Sequence, residues 1–413
     1  MEANHETITP TVSRVVGNMI VELIYDPILR KTALVVCCDG KWRIEQKVKL
    51  PSGETLVPYS ADNNLIRHEC VLLPAKPVQH GDKADLLRDI EDYLRRYVDL
   101  SPVFARIAAH YALLTWVYDA FNELPYLRFK GEYGSGKTRA LIALGSIVYK
   151  GFFASGASTV SPIFHTLDTF GGTLILDEAD LRYSDKTADL VKILNNGTVK
   201  GLPVLRTMQN RNKEFSPAAF NVYGPKIIAM RGSFRDQALE SRFLSEDMGK
   251  APLRADIPIQ LPPSLKAEAS ALRDRLLHFR LTNLHTMKSN PTLLVDGVEP
   301  RLNQTALSLL SLVDDAATRS DIGLRLRERH AQFSEQRALS NEGRTVAAVT
   351  SALAESNASH VSLQEVTKLA NSDSQSLGAI SSREVGRILR SASFSLRKSH
   401  GTVVVARPAG QMP

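Results

Sequence analysis

The chain is predicted to be an α/β protein built around a mostly parallel sheet. A small β-rich module precedes that core and a winged helix-turn-helix follows it. Three observations predict this. Between Tyr126 and about Leu244, short apolar runs alternate with helical segments, the pattern of βα units on a parallel sheet. Inside that stretch, Gly131-Glu132-Tyr133-Gly134-Ser135-Gly136-Lys137-Thr138 matches the phosphate-binding pattern G-x-x-x-x-G-K-[ST] at every fixed position. From Val346 onward, three helical segments are followed by two short strands.

Composition sets the limits. A chain of 413 residues, 43% hydrophobic and 23% charged, is expected to form two or three globular domains. No run approaches the ~18 continuous apolar residues of a membrane span. The start, Met1-Glu-Ala-Asn-His-Glu, is too polar for a secretory signal, so a cytoplasmic protein without membrane contact is expected. Cys37, Cys38 and Cys70 lack zinc-site or redox spacing and are expected to be buried thiols. The net charge of +7 permits a polyanionic partner but is spread along the chain.

The elements follow in order. Residues 1–80 read as a β-rich accessory module, with apolar or alternating runs at 21–25, 32–37 and 41–48 and turn signals at Asp39-Gly40 and Pro51-Ser52-Gly53. Pro74 to Pro77 reads as a linker. Residues 81–250 form the core, led by two helices over 84–98 and 102–122. Residues 251–335 form a helical lid or bundle, with helices over 264–282 and 301–333. Residues 336–413 form the winged helix. His110 and His165 have no partners at metal-ligand spacing and are expected to be structural.

The phosphate-binding pattern dictates a chemistry. Gly131, Gly134 and Gly136 let the backbone curl, so that N–H groups around Ser135 converge on an anion. Lys137 supplies a point charge for β- and γ-phosphates, and Thr138 offers a hydroxyl to Mg²⁺. Pro125 to Lys130 reads as the strand entering the loop. The helix leaving it from Thr138 turns its positive end toward the phosphates. Downstream, Thr173-Leu-Ile-Leu-Asp177-Glu178 is a buried strand ending in two acids at the same sheet edge. Asp177 is expected to hold Mg²⁺, and Glu178 to orient and deprotonate the attacking water. Asp180 reads as a helix cap or as a group supporting the metal ligands, not as a ligand itself. ATP and Mg²⁺ are the ligands these residues call for.

Two further segments point to nucleic acid. Leu202 to Tyr223 reads as a β-hairpin whose tip carries Arg211 and Lys213, either contacting phosphates or lying as a solvated surface tip. In the last third, Ser381 with Glu384 forms a capping box. The helix it opens carries Arg383, Arg387 and Arg390 on one face. Arg397, Lys398 and His400 fall on the wing. One basic face and a basic wing suit duplex DNA, although winged helices also dock proteins.

Taken together, 131–244 resembles the AAA+ helicase-like ATPases of bacterial mobile elements and phages, related to minichromosome maintenance and superfamily 3 helicases. Ala154-Ser-Gly-Ala-Ser-Thr and Ile193-Leu-Asn-Asn-Gly-Thr are similar to segments of that group. With the winged helix, the resemblance covers about two-thirds of the chain and leaves out residues 1–80. It implies that Arg231, ending the strand after the Asp-Glu strand, senses the γ-phosphate where relatives often place Asn. It implies that Arg242, in Ser241-Arg242-Phe243, reaches the ATP of a neighbouring subunit. Arg301 is implied as a further nucleotide sensor. It also implies a homo-oligomeric ring, a hexamer, with single-stranded DNA in its pore against the hairpin and duplex at the winged helix. The alternative is an ATP-dependent switch or loader that binds DNA or a protein partner without unwinding.

Overall fold

A computed structural model of the chain describes residues 7–155, 158–177, 185–209, 215–234, 236–250, 252–355, 360–372, 378–399 and 402–406. They divide into two compact units, one ending at Gly323 and one beginning at Leu324. The divisions expected after 80 and 250 lie inside the first unit, and that after 335 lies just inside the second.

The first unit opens with seven strands: β1 (Ile8–Thr11), β2 (Ser13–Val16), β3 (Met19–Asp26), β4 (Lys31–Cys38), β5 (Lys41–Glu45), β6 (Val48–Lys49) and β7 (Thr55–Pro58). Strands β2 to β5 form an antiparallel meander, whose last turn is tight because Asp39 and Gly40 take φ of 50° and 75°. Strands β1, β7 and β6 form a second sheet in that order, with β1 parallel to β7. A short helix α1 (Asn64–Arg67) follows, capped by Asn63. Val21, Leu23, Leu34 and Val36 pack into one apolar cluster with Tyr126, Leu174 and Phe243 of the core. The stretch read as a linker is pinned rather than free: the Ala75 and Lys76 N–H groups donate to Asp274 Oδ1 at 2.8 and 3.3 Å.

Helix α2 (Lys83–Tyr97) starts at the cap Asp82, and α3 (Pro102–Trp116) at Ser101 with Pro102 in its first turn. The second helix was expected to run to Asn122. It stops at Trp116 because the Trp116 carbonyl accepts from Arg280 Nη1 at 2.7 Å and Val117 leaves helical geometry. The core then runs β8 (Tyr126–Lys130), α4 (Lys137–Gly145), β9 (Phe152–Ser155), α5 (Val160–Phe170), β10 (Leu174–Asp177), α6 (Asp185–Asn196), β11 (Val204–Gln209), β12 (Phe215–Phe220), β13 (Lys226–Met230), α7 (Gln237–Glu240) and β14 (Phe243–Asp247). Five of these strands make one sheet, in the order β14-β8-β13-β10-β9, and every pairing in it is parallel. Strands β11 and β12 stand apart as an antiparallel hairpin, in register from Val204↔Phe220 to Gln209↔Phe215.

Helices α8 (Ser264–Asn283), α9 (Pro300–Leu310) and α10 (Ala316–Leu339) follow. The single helix expected over 301–333 is therefore two. The break comes where Leu312 and Val313 are buried and the Asp315 carboxylate accepts from the Thr318 N–H at 2.7 Å, capping a new start.

The second unit contains α11 (Asn341–Glu355), β15 (His360–Ser362), α12 (Leu363–Ala370), α13 (Ser382–Ser391), β16 (Ser395–Ser399) and β17 (Thr402–Ala406). Its sheet has three antiparallel strands, ordered β15-β17-β16, where two were expected. Val349, Leu353, Val366, Val385, Leu389 and Val405 form its core. Ser381 Oγ accepts from the Glu384 N–H at 3.3 Å, the cap its sequence foretold.

Candidate functional site

The phosphate-binding pattern forms a tight turn from the carboxyl end of β8 into α4. Gly131 cannot be replaced: a Cβ there would lie 2.6 Å from Ser135 Oγ and 2.7 Å from the Met248 carbonyl oxygen. Gly136 takes φ of 89° at the head of α4, a left-handed geometry that favours glycine. Lys137 Nζ folds onto the loop's own oxygens, donating to the Gly131 and Glu132 carbonyls at 2.5 and 2.7 Å and to Ser135 Oγ at 3.2 Å. The positive end of α4 faces the same turn.

Three neighbouring strands deliver residues to this edge. Asp177 ends β10, and Thr138 Oγ1 donates to its Oδ2 at 2.8 Å. Strand β13 lies between β8 and β10, and Arg231 follows its last residue. The Arg231 guanidinium lies over the ring of Tyr133, 4.1 Å from the ring centroid. Tyr133 itself, 78% exposed on the loop, was missed because it occupies a variable position of the pattern. Gly131, Gly134, Ser135, Gly136, Lys137, Thr138, Asp177 and Arg231 are thus brought together. Glu178 and Asp180 lie outside the described residues.

Arg242 and Arg301 are placed elsewhere. Arg242 precedes β14, and its carbonyl accepts from the Tyr126 N–H at the amino end of β8. That end is roughly 13 Å from Lys130 at the loop, four strand steps of ~3.3 Å. Partly buried, Arg242 Nη1 donates to the Asn195 carbonyl and, at 2.7 Å, to Thr198 Oγ1. Asn195 Nδ2 donates in turn to Asp236, the cap of α7, at 2.8 Å. Arg301 is exposed at the start of α9, where its charge acts on Glu123 and Arg242 rather than on the loop of its own chain.

Buried charge concentrates at this amino edge. Lys226 Nζ donates to the Val222, Gly224 and Gly197 carbonyls at 2.9, 3.0 and 3.4 Å. Burial, with the Arg242 charge beside it, pulls the Lys226 ammonium from 10.5 down to about 7. Before β9, Lys150 Nζ lies 3.1 Å from Glu22 of β3. Arg280 Nε of α8 donates to the same carboxylate at 2.7 Å, and its other nitrogens grip Asp119 at 2.7 Å each. Burial pushes the Glu22 carboxyl up, but Lys150, Arg280 and hydrogen bonds from Ser13 and Tyr149 outweigh it and hold the group below its ordinary value.

The hairpin packs one face inward through Val204 and Phe220, and Arg206 pairs with Asp189 at 3.2 Å. Leu205 and Phe215 are exposed. The tip with Arg211 and Lys213 lies outside the described residues, as does His400. In the second unit Arg383, Arg387 and Arg390 are all exposed on α13, with Arg387 at 3.8 Å from Glu384. Arg397 and Lys398 are exposed on β16. Strand alternation turns Arg397 away from the face holding Leu396, so these two cations point to opposite sides of the sheet.

Among the described residues no group of three His, Cys, Asp or Glu side chains could hold a metal. No helix among them is long and apolar enough to cross a membrane. His110 is buried with Nδ1 2.8 Å from the Arg106 carbonyl, and His165 sits against the rings of Phe164 and Phe220.

No protein-family profile matches the chain, and no curated protein matches it. Solved structures do. The apo NrS-1 C-terminal region is similar with a TM-score of 0.40 and 12% identity, covering 94% of this chain and 97% of that one. The structure titled SCCmec type IV Cch, active helicase, has a TM-score of 0.36 and 11% identity, covering 95% of each chain. An inhibitor-bound JCV helicase has a TM-score of 0.26 and 17% identity, covering 72% of this chain and 67% of that one. Likenesses of this depth leave the function to be argued from the site itself.

Proposed function

We propose that this chain is an ATPase of the AAA+ helicase-like kind that acts on DNA as a ring, with ATP bound between subunits. One observation carries the reading. The phosphate loop, the 2.8 Å Thr138–Asp177 contact and Arg231 share one sheet edge, while Arg242 stands at the other. A chain so built holds most of a nucleotide site and cannot bring its own Arg242 to it.

The residues fit the ligands. A turn that a Cβ would fill at Gly131, opening into a helix start, is a cradle for phosphate oxygens. A hydroxyl and a carboxylate at hydrogen-bond distance are the hard oxygen donors that Mg²⁺ takes. Held by Thr138 and Asp177, Mg²⁺ would supply positive charge to offset that of the phosphates. Lys137 exchanges its loop carbonyls for phosphate oxygens, and Arg231 leaves Tyr133 to meet the terminal phosphate. Glu178, next to Asp177, is the proposed base. Arg242 of one subunit, with Arg301 beside it, faces the nucleotide of the next, where a planar fork stabilises the transferring phosphoryl. Arg211 and Lys213 would track a single strand in the pore, and the winged helix would hold duplex through Arg383, Arg387, Arg390, Arg397 and Lys398.

The test is ATP hydrolysis measured against protein dilution, with and without single-stranded DNA. The rate per subunit should fall steeply on dilution and rise with DNA. A rate indifferent to dilution would remove the shared site. The switch or loader keeps one observation in its favour: Arg242 is held within its own chain by Asn195 and Thr198. That reading predicts slow hydrolysis, ATP-dependent assembly and no strand displacement, with Glu178→Gln assembling as wild type.

A further inference from the structure

Strand β8 enters the phosphate loop with a strand on either side of it, β14 and β13, yet its central residue is an arginine. Arg128 is fully buried, and its partner Glu240, the last residue of α7, is 4% exposed. The pair is bidentate, with Nη1 to Oε2 at 2.6 Å and Nη2 to Oε1 at 2.5 Å. Arg128 Nε donates to Ser245 Oγ of β14 at 3.0 Å, and Nη1 lies 3.8 Å from Met230 Sδ at the end of β13. The Phe243 ring lies over the guanidinium at 5.1 Å. Glu240 Oε2 also accepts from the Phe234 N–H at 3.0 Å.

Stability does not account for this arrangement, since well-packed apolar side chains commonly serve a buried position as well as an ion pair does. Its connections do. Met230 and Phe234 bracket Arg231. Glu240 and Phe243 bracket Ser241-Arg242. Arg128 lies on the strand that ends in the phosphate loop. One rigid fork therefore touches the three segments that carry the loop, Arg231 and Arg242. We infer that Arg128 and Glu240 are positioning residues that hold Arg242 in register for the nucleotide of the neighbouring subunit. This rests on the proposed shared site. The planar guanidinium matters because two parallel hydrogen bonds fix an angle as well as a distance.

Subunit mixing tests it. The variant Arg128→Met with Glu240→Gln removes both charges together and keeps an acceptor for the Phe234 N–H. Alone, it should bind ATP within about twofold of wild type and show kcat lowered at least about tenfold with KM unchanged. Mixed with Lys137→Ala subunits, which lack a working loop but keep Arg242 in place, it should regain hydrolysis severalfold above the sum of the parts. A defect that is only structural would not be rescued. The control mixture is Arg242→Ala with Lys137→Ala. If the control complements and the double variant does not, or if the double variant alone has full kcat, the positioning role is wrong. If the control fails to complement, the shared site itself is wrong. Should the double variant not fold, Arg128→Lys keeps the charge and loses the fork, and an unchanged kcat there overturns the inference.

Discussion

The two edges of the parallel sheet are built in opposite ways. At the carboxyl edge the loop is exposed, its glycines are held in geometries other residues avoid, and Lys137 rests on carbonyls of its own turn. At the amino edge Glu22, Lys150, Lys226 and Arg280 are all buried, and each polar head meets several partners. An open edge leaves its polar groups able to exchange partners. A closed edge is made to keep its own. Arg242 belongs to the second edge, although its proposed chemistry concerns the first, and this is why a second copy of the chain enters the account.

The largest effect expected from this contrast is catalytic. Arg242→Ala should lower kcat by about 10³-fold or more, as loss of a phosphoryl-stabilising arginine does, without changing nucleotide affinity of the dilute chain. Steady-state hydrolysis beside equilibrium binding checks both halves. Weakened binding by the dilute chain would join the two edges that the structure separates.

Stability should divide in the reverse sense. Glu22→Gln leaves Lys150 buried against a neutral partner and Arg280 with the Asp119 carboxylate alone, and should cost about 3–5 kcal/mol in denaturant unfolding. Asp177→Asn, at the open edge, should cost less than about 1 kcal/mol. Equal losses would erase the distinction. The Glu22 carboxyl is held below its ordinary 4.5, so its stabilisation is full above that value and disappears as the pH falls through the depressed one.

Lys226 sharpens the comparison with a slope of the same sign in a higher pH window. Its folded value of about 7 lies below the ordinary 10.5, so the unfolded chain binds the extra proton between those limits. Stability should rise across that window by up to about 1.4 kcal/mol per pH unit. Lys226→Met should flatten the slope, and an unaltered slope would place the titration elsewhere.

The smallest effect concerns neither edge. Each single substitution Arg383→Ala, Arg387→Ala or Arg390→Ala should reduce the slope of log affinity for duplex DNA against log salt by about 0.9. Unchanged slopes would assign the basic face of α13 to a protein partner.

Much of this was legible before folding. Loop and flanking strand and helix were readable because a phosphate cradle needs glycines, a lysine and a threonine at fixed local spacing. The Asp177 strand and the hairpin were readable because burial on two faces and alternation on one leave local patterns. The break at 311–315 was not, since it depends on Asp315 finding the Thr318 N–H. Strand β15 was not, since three residues carry too little pattern against the pairing supplied by β17. The ties of residues 1–80 to the rest of the chain were not legible, because nothing near Glu22 in sequence reveals Arg280.

The sequence by itself determined the tight glycine turn at the head of α4 and the strand that sets Asp177 beside it, for those properties live in short segments whose spacing decides them. Tertiary structure alone decided which charges were matched. Arg128 met Glu240, Glu22 met Lys150 and Arg280, and Arg242 went to the far edge because strand order, not sequence distance, sets which groups leave water together.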